Sequence, residues 1–174
     1  SDCSLTTGST TNTGLLNRAG LSVNGGTPIN VDACVPLPPN VTHTKIVTAG
    51  PTSTGTLNQY RITYRIDVNN IGGTASTYAL LDTPLFGDGA TLTSATCTAS
   101  GAGAAACPAT LSGSGPWTIA PAATPIAIGG AHSYTIVATF TLAPQTVTAT
   151  SMDCSLTTGS ATNTGLLNRA TLTP

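Results

Sequence analysis

Apolar and polar residues alternate strictly in two stretches of the chain. In LNQYRITYRIDV (57–68), Tyr60, Ile62, Tyr64, Ile66 and Val68 fall on one face, with Gln59, Arg61, Thr63, Arg65 and Asp67 on the other. In HSYTIVATFTL (132–142), Tyr134, Ile136, Ala138, Phe140 and Leu142 line one face in the same way. A period of two marks a strand with one buried side. Weaker strands are predicted near 42–49, 74–82, 91–97, 117–120 and 146–152, and the two ends add 13–23 and 164–173. Turns such as Asn24-Gly25-Gly26, Asn70-Ile71-Gly72-Gly73 and Gly129-Gly130 separate them. Short strands with turn residues at this spacing predict an all-β protein, an immunoglobulin-like antiparallel β-sandwich of about seven to eight strands.

The two end strands are copies of each other. Residues 2–19 read DCSLTTGSTTNTGLLNRA and residues 153–170 read DCSLTTGSATNTGLLNRA, identical except for Thr10 against Ala161. The offset of 151 residues is the length of a domain, so the pattern predicts domains in tandem rather than a solenoid of small repeats. The PLPPN stretch at 36–40 breaks strand pairing and stiffens the chain. It divides 1–35, read as the terminal strand and linker of a preceding repeat or a donated strand, from a sandwich domain at 36–174. Ser1 is then a mature N-terminus or the edge of a longer array.

Composition narrows the function classes. Charged residues make up 6% of the chain, against roughly 25% in an ordinary soluble domain, and the net charge is −1. Such a chain offers no electrostatic footprint for nucleic acid or an anionic membrane, and no apolar run is long enough for a membrane span. Thr, which favours strands, supplies about a fifth of the residues. The sequence carries no nucleophile elbow, zinc-helix motif, phosphate-cradling loop or calcium loop. His43 and His132 are isolated, Gly87-Asp88-Gly89 reads as a turn, and Trp117 reads as a core aromatic opening a strand. The expectation is a non-enzyme with no cofactor and no metal.

Lys45 opening the first strand of the body, YRITYRIDVNNIGG, YALLDTPLFGDGA and the closing TNTGLLNRATLT together resemble the bacterial conserved-repeat domain, a family of unknown function found in tandem in large secreted surface proteins. The resemblance covers most of 36–174. It implies a β-sandwich used as a stalk, matrix or adhesive repeat, with no catalytic residues to carry over.

Five cysteines without metal or redox spacing suggest disulfides and an oxidising, extracellular setting. Cys97 and Cys107 flank TASGAGAAA, and a bridge there would staple a flexible tip for roughly 2–3 kcal/mol. Cys3 and Cys34 bracket the N-terminal copy and form the favoured second pair. Cys154, the repeat equivalent of Cys3, is left over: the chain belongs to a longer array, Cys154 bonds a neighbouring subunit, or Cys34 pairs with Cys154 instead.

A second constellation joins Lys45, Asp82 and Asn168. Lys45 is the only lysine. Alternation turns Asn168 to the core side with Leu166, Ala170 and Leu172, and puts Asp82 on one face with Tyr78 and Leu80. Related surface-protein sandwiches can join a first-strand Lys to a last-strand Asn by an isopeptide bond, with help from a buried acid. That chemistry needs a neutral amine and a protonated carboxyl, both favoured by burial. The plainer alternative is a buried Asn bonded to backbone and a Lys with its head in solvent.

The functional expectation is a structural repeat unit of an extracellular bacterial filament, sheath or surface array, located outside the cell or on its surface. Its partners are copies of itself, as homopolymer or tandem array. The joint is the duplicated strand, with Leu15, Leu16 and Asn17 in one copy and Leu166, Leu167 and Asn168 in the other. The alternative is an adhesin-type binding module.

Overall fold

The structure, a computed structural model, describes residues 14–143, 146 and 164–174. These form ten strands, all paired antiparallel: β1 (Asn17–Leu21), β2 (Ile29–Ala33), β3 (Val41–Ser53), β4 (Gln59–Asn70), β5 (Ser76–Phe86), β6 (Ala90–Ser100), β7 (Thr110–Leu111), β8 (Trp117–Ile126), β9 (Ala131–Leu142) and β10 (Leu166–Thr173). The protein is all-β. A five-stranded sheet in the order β3-β4-β9-β6-β7 and a three-stranded sheet in the order β10-β5-β8 make up the body, and β1 and β2 form a separate two-stranded ribbon. Of the strand predicted near 146–152 only Thr146 is described, in a turn in which its N–H donates to the Ala143 carbonyl at 2.9 Å.

The alternating stretches form the centre of the body. Ile62, Tyr64, Ile66 and Val68 of β4 and Tyr134, Ile136, Ala138 and Phe140 of β9 are buried. Ile66, Val68, Tyr134 and Ile136 pack with Tyr78 and Leu80 of β5 and with Trp117, Ile119 and Ala120 of β8, while Ile62, Tyr64, Ala138 and Phe140 form a second cluster with Phe86, Leu92 and Leu166. Trp117 opens β8, as expected, and its indole N–H donates to the Ser112 carbonyl at 3.0 Å. A buried polar chain crosses the layers. His132 Nε2 lies 3.1 Å from the Ala102 carbonyl, so Nε2–H donates there and Nδ1 accepts from Tyr78 Oη at 2.7 Å. Tyr78 Oη in turn accepts from Tyr134 Oη at 2.7 Å. His132 therefore ties the Gly101–Ala105 turn to the core.

Two elements run further than their sequence suggests. β8 continues through Pro121 and Pro125 to Ile126 because it is the outer strand of its sheet, where a missing N–H leaves no partner unserved. β5 runs through Pro84 because its pairing with β8 ends at Asp82 opposite Trp117. The PLPPN segment is not a free tether: the Pro38 carbonyl accepts from Gly73 N–H at 3.0 Å and the Asn40 carbonyl from Ile71 N–H at 2.9 Å. Gly72 permits that approach, since a Cβ there would stand 2.2 Å from the Asn40 nitrogen.

Cys97 and Cys107 are joined by a disulfide. Cys34 is also disulfide-bonded. Cys3 and Cys154 lie outside the described residues, and with them the choice between the two pairings.

Candidate cross-linking site

Three strands deliver one polar group each to the same point between the sheets. β3 contributes Lys45, whose Cα faces Ile66 of β4. β5 contributes Asp82, opposite Ala170 of β10 on one side and Trp117 of β8 on the other. β10 contributes Asn168, opposite Pro84. The alternation that places Leu166, Ala170 and Leu172 against the core carries Asn168 inward with them. Lys45, the outermost of these groups, reaches in from the edge strand of the five-stranded sheet and retains 13% side-chain exposure, while Asp82 retains none.

The lysine amine donates to Asp82 Oδ1 in a short contact and lies 5.2 Å from the centre of the Tyr64 ring. The Tyr64 hydroxyl donates to the Leu166 carbonyl at 2.6 Å, which pins the start of β10 across the layers beside the amine. Burial pushes the Lys45 amine below the ordinary lysine range, with the charge of Asp82 and its hydrogen bond opposing the shift. Burial pushes the Asp82 carboxyl above the ordinary carboxylate range, with Lys45 opposing the shift and the nearby Asn168 amide opposing it further. Both displacements favour uncharged amine and acid over the ion pair.

The asparagine is the anomaly. Its Oδ1 and Nδ2 are both buried without a hydrogen-bond partner among the described residues, as is Asp82 Oδ2. The amide is close enough to lower the acid somewhat, yet completes no bond of normal geometry. A buried unpaired polar group costs about 1–3 kcal/mol, so three at one point form a costly cluster. Folded proteins keep such clusters where chemistry explains them.

The structure thus brings together Lys45, Asp82 and Asn168. Leu166 and Leu167 stand at the head of the same strand, and with Lys45, Tyr64 and Asn168 they line an open cleft of about 250 Å³. Asn17 lies on β1 and Leu15 and Leu16 just before it, in the ribbon. Tyr64 is the participant that sequence reasoning assigned only to the core. Alternation puts Tyr64 on the same face of β4 as Ile66. That Ile66 stands opposite Lys45, with Tyr64 one step along the face opposite Val47, follows only from the pairing of β3 with β4. A larger cavity, about 680 Å³, lies elsewhere, between Phe86, Leu92, Thr110 and Ser112, and no titratable side chain among the described residues lines it.

Comparison with family models, curated proteins and solved structures gave no match. No helix among the described residues is long and apolar enough to cross a membrane.

Proposed function

We propose that the chain is an immunoglobulin-like structural unit of an extracellular bacterial filament, sheath or surface array, of the conserved-repeat type. In this reading each body is locked by a Lys45–Asn168 isopeptide bond, and copies are joined through the duplicated terminal strand. The observation that carries the reading is the buried Asn168 amide, without a partner among the described residues, on the strand that closes the body, together with the largely buried Lys45 amine on the strand that opens it and the buried Asp82 acid on β5.

The chemistry balances with these groups alone. Neutral Lys45 Nζ attacks Asn168 Cγ while protonated Asp82 donates a hydrogen bond to Asn168 Oδ1 and polarises the carbonyl. Collapse of the tetrahedral intermediate forms the Nζ–Cγ amide and breaks the Cγ–Nδ2 bond. Asp82 relays a proton from the attacking nitrogen to the departing one, which leaves as ammonia. Asp82 ends as it began, and no oxidant or cofactor enters. Tyr64, Ile66 and Trp117 supply the apolar surroundings that keep both groups uncharged.

The test is the intact mass of the reduced wild-type chain, expected to be short by one ammonia, with the Lys45 and Asn168 peptides linked after digestion. Lys45→Met restores the full mass. A wild-type chain of unaltered mass refutes the cross-link. A ligand-binding module is less well supported: Tyr60 stacks on Phe140, Phe86 meets it edge-on, and the other four aromatics are buried, which leaves only Tyr60 and Phe86 partly exposed.

A further inference from the structure

The strand that carries Asn168 occurs twice, and the two copies sit in opposite surroundings. In β10, Leu166, Asn168, Ala170 and Leu172 face the core. Their counterparts at the 151-residue offset are Leu15, Asn17, Ala19 and Leu21, and all four are exposed. The pairing of Ala19 with Val31 and Leu21 with Ile29 puts the apolar residues of β2 on that same face. Leu21 (65% exposed), Ile29 (68%) and Val31 (63%) stand uncovered there, while Arg18 and Asp32 form an ion pair on the other face. The ribbon therefore has a finished polar side and an apolar side with nothing among the described residues packed on it. A two-stranded ribbon alone is marginal in water and needs a sheet or a core to join.

The hydrogen-bonding edges fit as well as the faces. Leu15 N–H donates to the Val35 carbonyl at 2.9 Å, so Leu15, Asn17, Ala19 and Leu21 turn their backbone groups toward β2. In β10, the Leu166 carbonyl accepts from Tyr64 Oη, and His43 Nε2 lies 3.4 Å from the Ala170 carbonyl, so the equivalent groups are turned away from β5. A strand of this sequence can therefore pair with β5 on one edge and with β2 on the other without competition. β10 is the outer strand of its sheet, and a further strand added at that second edge would take the place of the Tyr64 and His43 contacts to the Leu166 and Ala170 carbonyls.

We infer that the β1–β2 ribbon is the closing pair of strands for the body of a second copy of this chain: β1 takes the position beside β5 that β10 holds here, β2 adds as a fourth strand outside it, and Asn17 meets the second copy's Lys45. The inference rests on the Lys45–Asn168 reading and extends it from a lock within one body to a covalent joint between bodies. Lys45 Nζ of one copy bonds to Asn17 Cγ of the other, the Asn17 Cγ–Nδ2 bond breaks, and ammonia leaves. Each chain has one lysine and two matching acceptors, so Asn17 and Asn168 compete for it.

The test uses the full chain, refolded from denaturant with reductant present so that either strand can enter the slot. The wild-type chain forms a fraction of multimers resistant to boiling detergent and reductant, rising with protein concentration and lacking one ammonia per junction. Asn17→Ala, a change on an exposed ribbon, abolishes that fraction. Asn168→Ala raises it several-fold by removing the competing acceptor. If the wild-type chain loses its ammonia within single chains but no resistant multimer appears at any concentration, the ribbon is not an acceptor and this inference falls alone. If the wild-type chain keeps its full mass, the inference falls together with the internal bond.

Discussion

Replacement of Asn168 by alanine separates a bonded site from an unbonded one by the sign of its effect. Without a cross-link, Asn168 is a buried amide with neither polar atom paired, and its removal relieves about 1–3 kcal/mol of unmet hydrogen bonding against a small cavity. The variant should then match the wild type or exceed it. With a cross-link, Lys45 and Asn168 close a loop of about 120 residues, which on chain-entropy grounds is worth about 5 kcal/mol through the unfolded state. The variant then melts lower by roughly 10–20 °C, at about 2–4 °C per kcal/mol for a chain of this size. Scanning calorimetry of wild type, Asn168→Ala and Lys45→Met at equal pH reads the difference, with intact masses taken on the same samples. Both variants should fall together, since either removes the whole bond. An Asn168→Ala chain as stable as wild type refutes the reasoning.

The remaining predictions concern the pair left unbonded, the linker and the buried histidine. In Asn168→Ala, Asp82 keeps its proton to higher pH than in the unfolded chain, so stability falls as pH rises from the ordinary carboxylate range through the raised value. Lys45 releases its proton at lower pH than in the unfolded chain, so stability returns as pH climbs from the lowered value toward the ordinary lysine range. Urea melts at about pH 4, 7 and 10 should show the minimum in the middle, and Asp82→Asn in the same background should flatten the acid side. Gly72→Ala places a Cβ 2.2 Å from the Asn40 nitrogen and 2.6 Å from the Pro38 oxygen. The linker must lift, at a cost of about 1–3 kcal/mol, and limited proteolysis should cut 36–40 faster than in wild type. His132→Ala leaves the Tyr78 hydroxyl and the Ala102 carbonyl without their partner and opens a cavity. A loss of about 2–4 kcal/mol is expected by urea denaturation, with earlier hydrogen exchange in 101–105.

Much of the body was legible in the chain because its signal is local. The faces of β4 and β9 follow from alternation, and so does the inward direction of Asp82 and Asn168. The Cys97–Cys107 bridge followed from a small-residue tip between two cysteines. What alternation does not carry is sheet order, and with it the meeting of β3, β5 and β10 at one point. That meeting is fixed by non-local pairing, in particular by β10 closing onto β5 rather than onto its neighbours in sequence. β8 was read short because Pro121 and Pro125 stop a central strand, and only the sheet order reveals an edge. β2 was passed over although Ile29, Val31, Ala33 and Val35 alternate with Asn30, Asp32 and Cys34. The prolines that follow made the segment look like a tether, and the strand has meaning only beside its partner β1.

The positions of Lys45 and Asn168 bear on what an isopeptide lock would do for a unit in an array. Lys45 lies five positions into the segment that follows the PLPPN linker, and Asn168 lies on the final strand. Tension applied through the two ends of the body enters along β3 and leaves along β10. With the bond formed, the covalent path runs from Lys45 directly to Asn168 and bypasses the strands between them, so those hydrogen bonds are not loaded in series. A body held only by backbone pairing would instead yield by peeling β10 from β5, the edge interaction in its sheet. Formation of that bond would also account for a core built around an amide without a partner among the described residues, since the cluster would be costly only until the bond formed. A ribbon that repeats the β10 sequence with the counterparts of its core-facing residues exposed would then extend the covalent path from one body to the next through Asn17. Under this reading the protein needs little else from its surface, which accords with a chain that is 6% charged.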